Sequence, residues 1–390
     1  MIVAVDFYRH NNEHVPVNAS LLLMFMQNFY DEKFSFYAEA SHAENVAAYM
    51  AQQQTNKTIE VIKTKVFSAS TNDGKLFLLN RIFYETRQLY KLSKKIKNKN
   101  IRCLLLLSLS PINSVLAKKF LFRNKRTIIA LHGDLEFIKL NNQGLRNFLG
   151  KCFLKSFKIK NPLNTYLVLG NEVKQNLIKY GALNEQEVVS VFHPYIYKKN
   201  IQATNYNYPL VFVHIGIASM LKQSFLFFKL AEAAGEDVKN NKAIFKLIGK
   251  NEDIPASEIN EFVINAGSHS MLSRSEYETG IQSAHYAVFF HSNDNYEFTV
   301  SGSVLDAIDF EKPLIALKND LFEAIFKSAG NIGFLCADYN EMLNVINLII
   351  QNKNEEVYKM MQQNMKQFKA AHSIVKLRQQ LFAQQQLAGI

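Results

Sequence analysis

The stretch His291–Lys318 reads HSNDNYEFTVSGSVLDAIDFEKPLIALK. An apolar run ends just before it at Phe290, a polar loop follows, Ser301-Gly302-Ser303 opens a helix, and KPLIAL reads as the next strand. Strand, helix and strand in that order form a βαβ unit, and βαβ units build parallel sheets. Ser301, Gly302 and Ser303 sit where a helix start leaves backbone N–H groups unpaired. Those donors and the helix dipole favour a phosphate, and glycine lets one approach closely. The same serines can simply cap the helix, so both readings stay open here.

Working outward, the alternation extends in both directions. In the second half, strands are predicted at Leu210–Ile215, Ala243–Ile248, Tyr286–Phe290 and Pro313–Leu317, with a short one near Ile332–Leu335. Helices are predicted at about Leu221–Ala234, Ser273–Ser283, Ser303–Phe310, Leu321–Ser328 and Asn340–Asn352. In the first half, strands are predicted at Ile2–Phe7, Phe34–Glu39, Ile59–Ile62, Arg102–Leu109, Thr127–Leu131, Tyr166–Leu169 and Val188–Phe192, with helical segments between most of them. A chain of 390 residues is too long for one ordinary core. The expectation is an α/β protein of two doubly wound domains. Residues 1–193 form the first, residues 194–209 a polar linker, and residues 210–354 the second. Residues 355–390 are helical, with Val357, Met361, Met365, Phe368, Ala371, Ile374, Leu377 and Leu381 at three- to four-residue spacing. Such a face packs back on the domains.

The segment 291–318 resembles the donor site of retaining GT-B glycosyltransferases. In that family an acidic residue in the loop precedes a small-residue helix start. A second acid follows in the helix, and a Gly-Lys-Pro-like turn leads into the next strand. Here Asp306 stands at the second acid and Glu311-Lys312-Pro313 at the turn. The loop acid is matched best by Glu297, with Asp294 as its rival. The separation of Glu297 and Asp306 is one residue longer than the family's usual spacing, and Glu311 stands where glycine is usual. The resemblance implies the GT-B architecture, two Rossmann-like domains facing across a cleft. It also implies that Asp306 binds ribose hydroxyls and that Glu297 holds the donor sugar. Gly216, after the domain's first strand, and Lys222, at the next helix start, match the family's contacts to the donor diphosphate. Lys222 can equally be a solvated lysine on a first helical turn.

In the first half, His132-Gly133-Asp134 follows the strand ending at Leu131, at the C-terminal edge where open α/β sheets put their ligands. By resemblance His132 touches donor sugar or acceptor and Asp134 positions an acceptor hydroxyl. Locally the tripeptide also reads as a turn with Asp134 as an N-cap. The loop YRHNNEHVPVN after the first strand lacks the family's glycine-rich turn and is read as an acceptor-side loop. His10 and His14 have i,i+4 spacing, but Pro16 argues against a helix and no further ligand is visible, so no metal is expected.

Charge separates the halves. Residues 1–205 hold 29 Lys and Arg against 14 Asp and Glu, and residues 206–390 hold 16 against 20. A basic half faces an anionic partner. In Lys139–Lys160, lysines and Arg146 surround an apolar face of Leu145, Phe148, Leu149, Cys152, Phe153 and Phe157. That helix can lie on an anionic membrane or pack in a core. No zinc, helix-turn-helix or RNA-binding pattern is present, so nucleic acid is not expected. Three scattered cysteines exclude a disulfide framework, and no apolar run reaches the 18 or so residues of a membrane span. The combined expectation is a cytoplasmic enzyme, peripheral on a membrane if Lys139–Lys160 docks there. It moves sugar from a nucleotide-sugar to a glycan or lipid-linked saccharide without a cofactor. A sugar-nucleotide epimerase and a non-catalytic nucleotide-binding protein of the same fold are the alternatives.

Overall fold

In a computed structural model of the chain, all residues are described except 52–58, 65–73, 140–143, 199, 271 and 388–390, together with the side chains of Lys75, Asp134 and Asn295. The strands form two parallel sheets. The first comprises β1 (Ile2–Asp6), β2 (Phe34–Glu39), β3 (Glu60–Thr64), β4 (Cys103–Leu106), β5 (Thr127–Leu131), β6 (Asn164–Leu169) and β7 (Val188–Val191), in the order β3-β2-β1-β4-β5-β6-β7. The second comprises β8 (Leu210–Ile215), β9 (Ala243–Ile248), β10 (Val263–Ile264), β11 (Tyr286–Phe289), β12 (Leu314–Leu317) and β13 (Gly333–Cys336), in the order β10-β9-β8-β11-β12-β13. Parallel strands covered on both faces bury every side chain, which is why these segments are continuous apolar runs. β1, β2, β4 and β5 are buried at every position. The edge strand β3 instead exposes Glu60 and Lys63, charges that discourage further pairing.

The order of strands reverses between β1 and β4 in one sheet and between β8 and β11 in the other. Chains leaving neighbouring strands there turn to opposite faces and open a crevice at the C-terminal edge. By internal contacts the chain divides into two units. The first is Met1–Ile196 with Phe298–Val300 and His372–Ile390, and the second is Tyr197–Glu297 with Ser301–Ala371.

Several segments differ from expectation. Of the residues read as linker, 197–209 join the second unit, where Tyr206 is buried and stacks on Tyr358 with ring centres 4.3 Å apart. β10 is too short to give a periodic signal. The C-terminal stretch is two helices, Glu355–Ala371 and Ile374–Phe382. Met361, Met365, Phe368, Leu377 and Leu381 are buried as their spacing predicts, whereas Ala371 is exposed. Phe382 meets Phe25 and Phe29 edge-on, covering a helix, Val15–Asn28, that is apolar nearly all round. Helix Gly144–Lys158 turns Leu149, Phe153 and Phe157 into the first unit's core. Of its apolar face Phe148 is left exposed among Arg146, Lys151 and Lys155, so the core alternative accounts for this helix.

The turn after helix Gly302–Asp309 explains an unusual residue. Glu311 has φ of 56°, the left-handed region that favours glycine. Its carboxylate is held by Lys369 at 2.7 Å and approached by Lys366 at 3.6 Å, and its carbonyl accepts from Gln362. A strained position is thus kept by an ion pair to helix Glu355–Ala371. Truncation leaves buried Lys369 with the Asp309 carbonyl, 2.9 Å away, and without its ion pair, a loss that reaches about 3–5 kcal/mol for buried pairs. Glycine recovers about 1–2 kcal/mol of the backbone cost. Melting temperatures of the full chain are therefore expected to fall in the order wild type, Glu311→Gly, Glu311→Ala; a Glu311→Ala protein at least as stable as Glu311→Gly contradicts the strain account.

Burial also leaves two histidines neutral at the C-terminal edges of the sheets. His193 is held down to about 4 by burial and then by His132, and His214 to about 3 by burial and then by Lys222. A folded-state pKa below the unfolded value means the unfolded chain takes up more protons as pH falls below about 6.5, so stability drops there. Buried Glu85, pushed up to about 7, works in the opposite sense. The informative quantity is therefore a difference: between pH 7 and pH 5, wild type is expected to lose about 2 kcal/mol relative to His214→Asn in denaturant unfolding. Parallel pH profiles for the two proteins refute the buried neutral histidine.

Candidate functional site

In the second unit the site is built at the β8–β11 reversal. Gly216 leaves β8 with φ of 94°, and its N–H donates to Ile248 O at 2.8 Å. A Cβ at Gly249 would lie 1.9 Å from Gly216 O, so the loops after β8 and β9 touch through glycine. A Cβ at Gly216 would meet Ser303 Cβ at 3.6 Å, which places the start of helix Gly302–Asp309 against the same loop. The structure thus brings Gly216, Ser301, Gly302 and Ser303 together.

Ser301 is the residue preceding this helix, in extended conformation, but its side chain caps no backbone N–H. Its Oγ instead meets Ser303 Oγ at 2.9 Å. The capping alternative therefore fails for Ser301, and the first-turn N–H groups keep their capacity for another acceptor. A Cβ on Gly302 would meet nothing within 4 Å, so space opens over the helix start.

Lys222 lies in the turn before helix Phe225–Ala233, not within a first helical turn as expected. His214 on β8 bonds Ser224 Oγ at 2.9 Å, and that oxygen accepts from Ser219 N at 3.1 Å, pinning the turn. The Lys222 ammonium forms no ion pair among the described residues. Burial lowers its pKa, opposed by Glu252. His291, at the end of β11, is 3% exposed, and neither ring nitrogen has a hydrogen-bond partner. Its ring stacks on Tyr296 at 4.0 Å, and burial, then Lys222 and His214, keep its pKa well below the usual range. Sequence reading passed over both histidines because each ends an apolar strand run.

Asp306 is nearly one helical turn beyond Ser303. Its Oδ2 accepts from the Tyr277 hydroxyl at 2.8 Å, and Arg274 Nη2 lies 3.9 Å from Oδ1. Burial, then Asp306, raises the Tyr277 pKa well above 10, so that hydroxyl stays a donor. Neither Tyr277 nor Arg274 carries a signal in the sequence. Between helix Arg274–Gln282 and the strands β9 and β10 is a cavity of about 640 Å³ lined by Lys246, Ile248, Asn265, Leu272 and Thr279, among others. Glu297 follows the short helix Asn293–Tyr296 and is half-buried, whereas its rival Asp294 is exposed.

In the first unit, His132 directly follows β5. The ring Nε2–H donates to Leu107 O at 2.7 Å, because a carbonyl can only accept. The ring packs on His14 with centres 4.6 Å apart. Gly133, with φ of 88°, precedes the short 3₁₀ turn Asp134–Ile138; it, and not Asp134, is the N-cap. The Asp134 side chain lies outside the described residues. The loop after β1 does without glycine because buried Asp6 organises it. Asp6 Oδ1 accepts from Tyr8 N and Arg9 N, and Oδ2 accepts from Asn18 Nδ2 at 2.7 Å. Asn18 in turn meets His42 Nε2 at 2.8 Å. His10 is paired with Glu13, not with His14, and among the described residues no group of three or more His, Cys, Asp or Glu is placed to hold a metal ion. No helix among them is long and apolar enough to cross a membrane.

No family model matches the chain, and no curated protein matches its sequence. Solved structures do match in fold. HepE of Anabaena, in complex with UDP-glucose, aligns with a TM-score of 0.63 at 13% identity over 98% of both chains. WaaG, a glycosyltransferase involved in lipopolysaccharide biosynthesis, gives 0.62 at 10% over 97% of this chain and 98% of its own. A variant of S. aureus TarM, in complex with fondaparinux, α-GlcNAc-glycerol and UDP, gives 0.64 at 9% over 98% and 99%. At such identities the likeness is one of fold, and with the two parallel sheets it establishes that this chain has the GT-B fold, two Rossmann-like domains in tandem.

Proposed function

We propose that the chain is a glycosyltransferase that takes a sugar from a nucleotide-sugar bound by the second unit and passes it to a hydroxyl of a glycan or lipid-linked saccharide. The observation that carries this reading is the convergence at the β8–β11 reversal of an uncapped helix start, glycine loops and a lysine with no ion pair among the described residues. Backbone N–H groups of Gly302 and Ser303 and the helix dipole would receive the donor diphosphate. Lys222 would add a point charge as negative charge grows on the departing diphosphate, the stage at which preorganised charge accelerates reaction. These groups supply the neutralisation, so the reading assigns no metal or other cofactor.

Asp306, held by Tyr277, would accept from ribose hydroxyls, and the cavity beside helix Arg274–Gln282 has room for the base. Glu297 would bond the sugar. In the first unit His132, as the Nε2–H tautomer, would accept a hydroxyl proton at Nδ1, and Asp134 would orient the acceptor hydroxyl. The structures of HepE with UDP-glucose and of TarM with UDP support a nucleotide-sugar donor by likeness of fold.

Thermal unfolding with UDP, GDP, ADP and CMP tests this. A nucleotide at a hundredfold excess over its dissociation constant is expected to stabilise the chain by about 2.7 kcal/mol. Asp306→Ala should weaken that nucleotide at least tenfold, and release of free sugar or transfer from the matching nucleotide-sugar should fall with it. If none of the four nucleotides shifts the transition, the donor reading is wrong. If one binds and its nucleotide-sugar stays intact with every acceptor offered, the chain is a binding protein.

Gly302→Val separates the site from the fold. The added methyls point into open space, so the melting temperature without nucleotide should stay within about 2 °C of wild type, as for surface substitutions. Those methyls occupy the path of the phosphate, so nucleotide stabilisation should be lost. Full nucleotide stabilisation in this variant would remove the helix start from the site.

A further inference from the structure

The first unit holds a cationic cluster that the donor reading does not use. It gathers at the C-terminal edge beside the β1–β4 reversal. The Arg9 backbone is fixed by Asp6, and its guanidinium turns toward Gly133. A Cβ at Gly133 would lie 2.5 Å from Arg9 Nη2, so glycine in His132-Gly133-Asp134 is what gives the guanidinium room. Arg9 forms no ion pair among the described residues, and its Nε is buried without a hydrogen-bond partner.

His14 starts helix Val15–Asn28 from a left-handed backbone, φ 54°. No side chain caps that helix and no acid lies in its first turn. The His14 ring packs on His132. His193 is 7% exposed, with Nδ1 lacking a partner. Burial first, then Arg9, His132, His193 and His42, keep the pKa of His14 well below its usual value. Among the described residues the neighbouring carboxylates are committed elsewhere: Asp6 to Tyr8 N, Arg9 N and Asn18, and Glu13 to His10 and Arg81. Among the described residues, a guanidinium without an ion pair, an uncapped helix start and imidazoles with few partners leave room for an anion.

We propose that Arg9, His14 and the N-terminus of helix Val15–Asn28 form an oxyanion site that takes a phosphate or carboxylate group. Resting on the transferase reading above, that group is carried by the acceptor, which would then be a phosphorylated or uronate-bearing saccharide. The fork of Arg9 matches either oxyanion in two-point fashion, which a lysine does not.

Titration of the full-length chain with inorganic phosphate, followed through the His14 ring proton by NMR, tests the site without reference to catalysis. The resonance is assigned with His14→Asn. Phosphate should shift it in wild type. Arg9→Gln should weaken that response at least tenfold, with Arg9→Lys intermediate, and Gly133→Ala should weaken it by displacing Arg9. Asp134→Asn should leave it unchanged or strengthen it. A His14 resonance indifferent to phosphate in wild type overturns the proposal even if the Arg9 variants fail to fold, as does a response that survives Arg9→Gln.

Glucose 6-phosphate, glucuronate and glucose then distinguish the source. Tenfold tighter response to either charged sugar than to inorganic phosphate, with none to glucose, supports an anion borne by the acceptor. Equal response to inorganic phosphate overturns that assignment. Nucleotide stabilisation is expected to be unchanged in Arg9→Gln, so failure of the donor reading and failure of this site register separately.

Discussion

A parallel sheet buried on both faces can present polar groups only where its strands end. Within β1, β4 or β5 every side chain is buried, the one charged residue, Asp6, standing at a strand end, and the ladders consume the backbone. Chemistry is therefore confined to the loops leaving the C-terminal edge, and most strongly to the reversal of strand order, where neighbouring loops diverge. Gly216, Lys222, His291 and the helix start at Gly302 all follow from that constraint in one sheet. Arg9, His14 and His132 follow from it in the other. The two sets differ in how the loops are built. The second unit uses glycines at Gly216 and Gly249 so that backbones touch. The first uses the buried carboxylate of Asp6 to hold a turn that has no glycine.

Several polar groups at these edges are held by residues from other elements. His214 secures the turn carrying Lys222 through Ser224, and Tyr277 secures Asp306 from another helix. The same logic holds Glu311, which tolerates a glycine-like backbone because Lys369 reaches it from the C-terminal helix. An ion pair in the place of glycine costs backbone strain and gives helix Glu355–Ala371 a fixed anchor.

This pattern explains what the sequence discloses. Strands were legible because full burial writes itself as apolar runs, and β10 was not because two residues carry no period. Helix Gly144–Lys158 looked equally suited to a membrane and a core. The difference lies in whether Phe153 and Phe157 meet the neighbouring strands, as Phe157 does with Tyr166, which no local pattern records. The helix start at Ser301 was legible as a motif, but not the fact that Ser301 bonds Ser303 rather than its own backbone. Arg9 stood in view, and nothing near it in sequence showed that Gly133 makes room for it. Polar partners from distant segments are invisible to periodicity, and such partners make the sites.

An uncapped helix start does not by itself mark a site. Helices Arg274–Gln282, Asp320–Ala329 and Tyr339–Gln351 are capped by Ser273, Asn319 and Asp338, whereas Asn171–Lys179 begins at Gly170 with no side-chain cap but with Glu172 in its first turn. What distinguishes Gly302–Asp309 and Val15–Asn28 is their company. Each begins beside a reversal of strand order and near a cation that has no ion pair among the described residues, Lys222 in one case and Arg9 in the other. Leaving a cation unpaired beside a positive helix end is unfavourable in the free chain, and a cap or a neighbouring carboxylate would remove that cost. At these two helix starts the chain omits that remedy, and an anionic ligand would supply it.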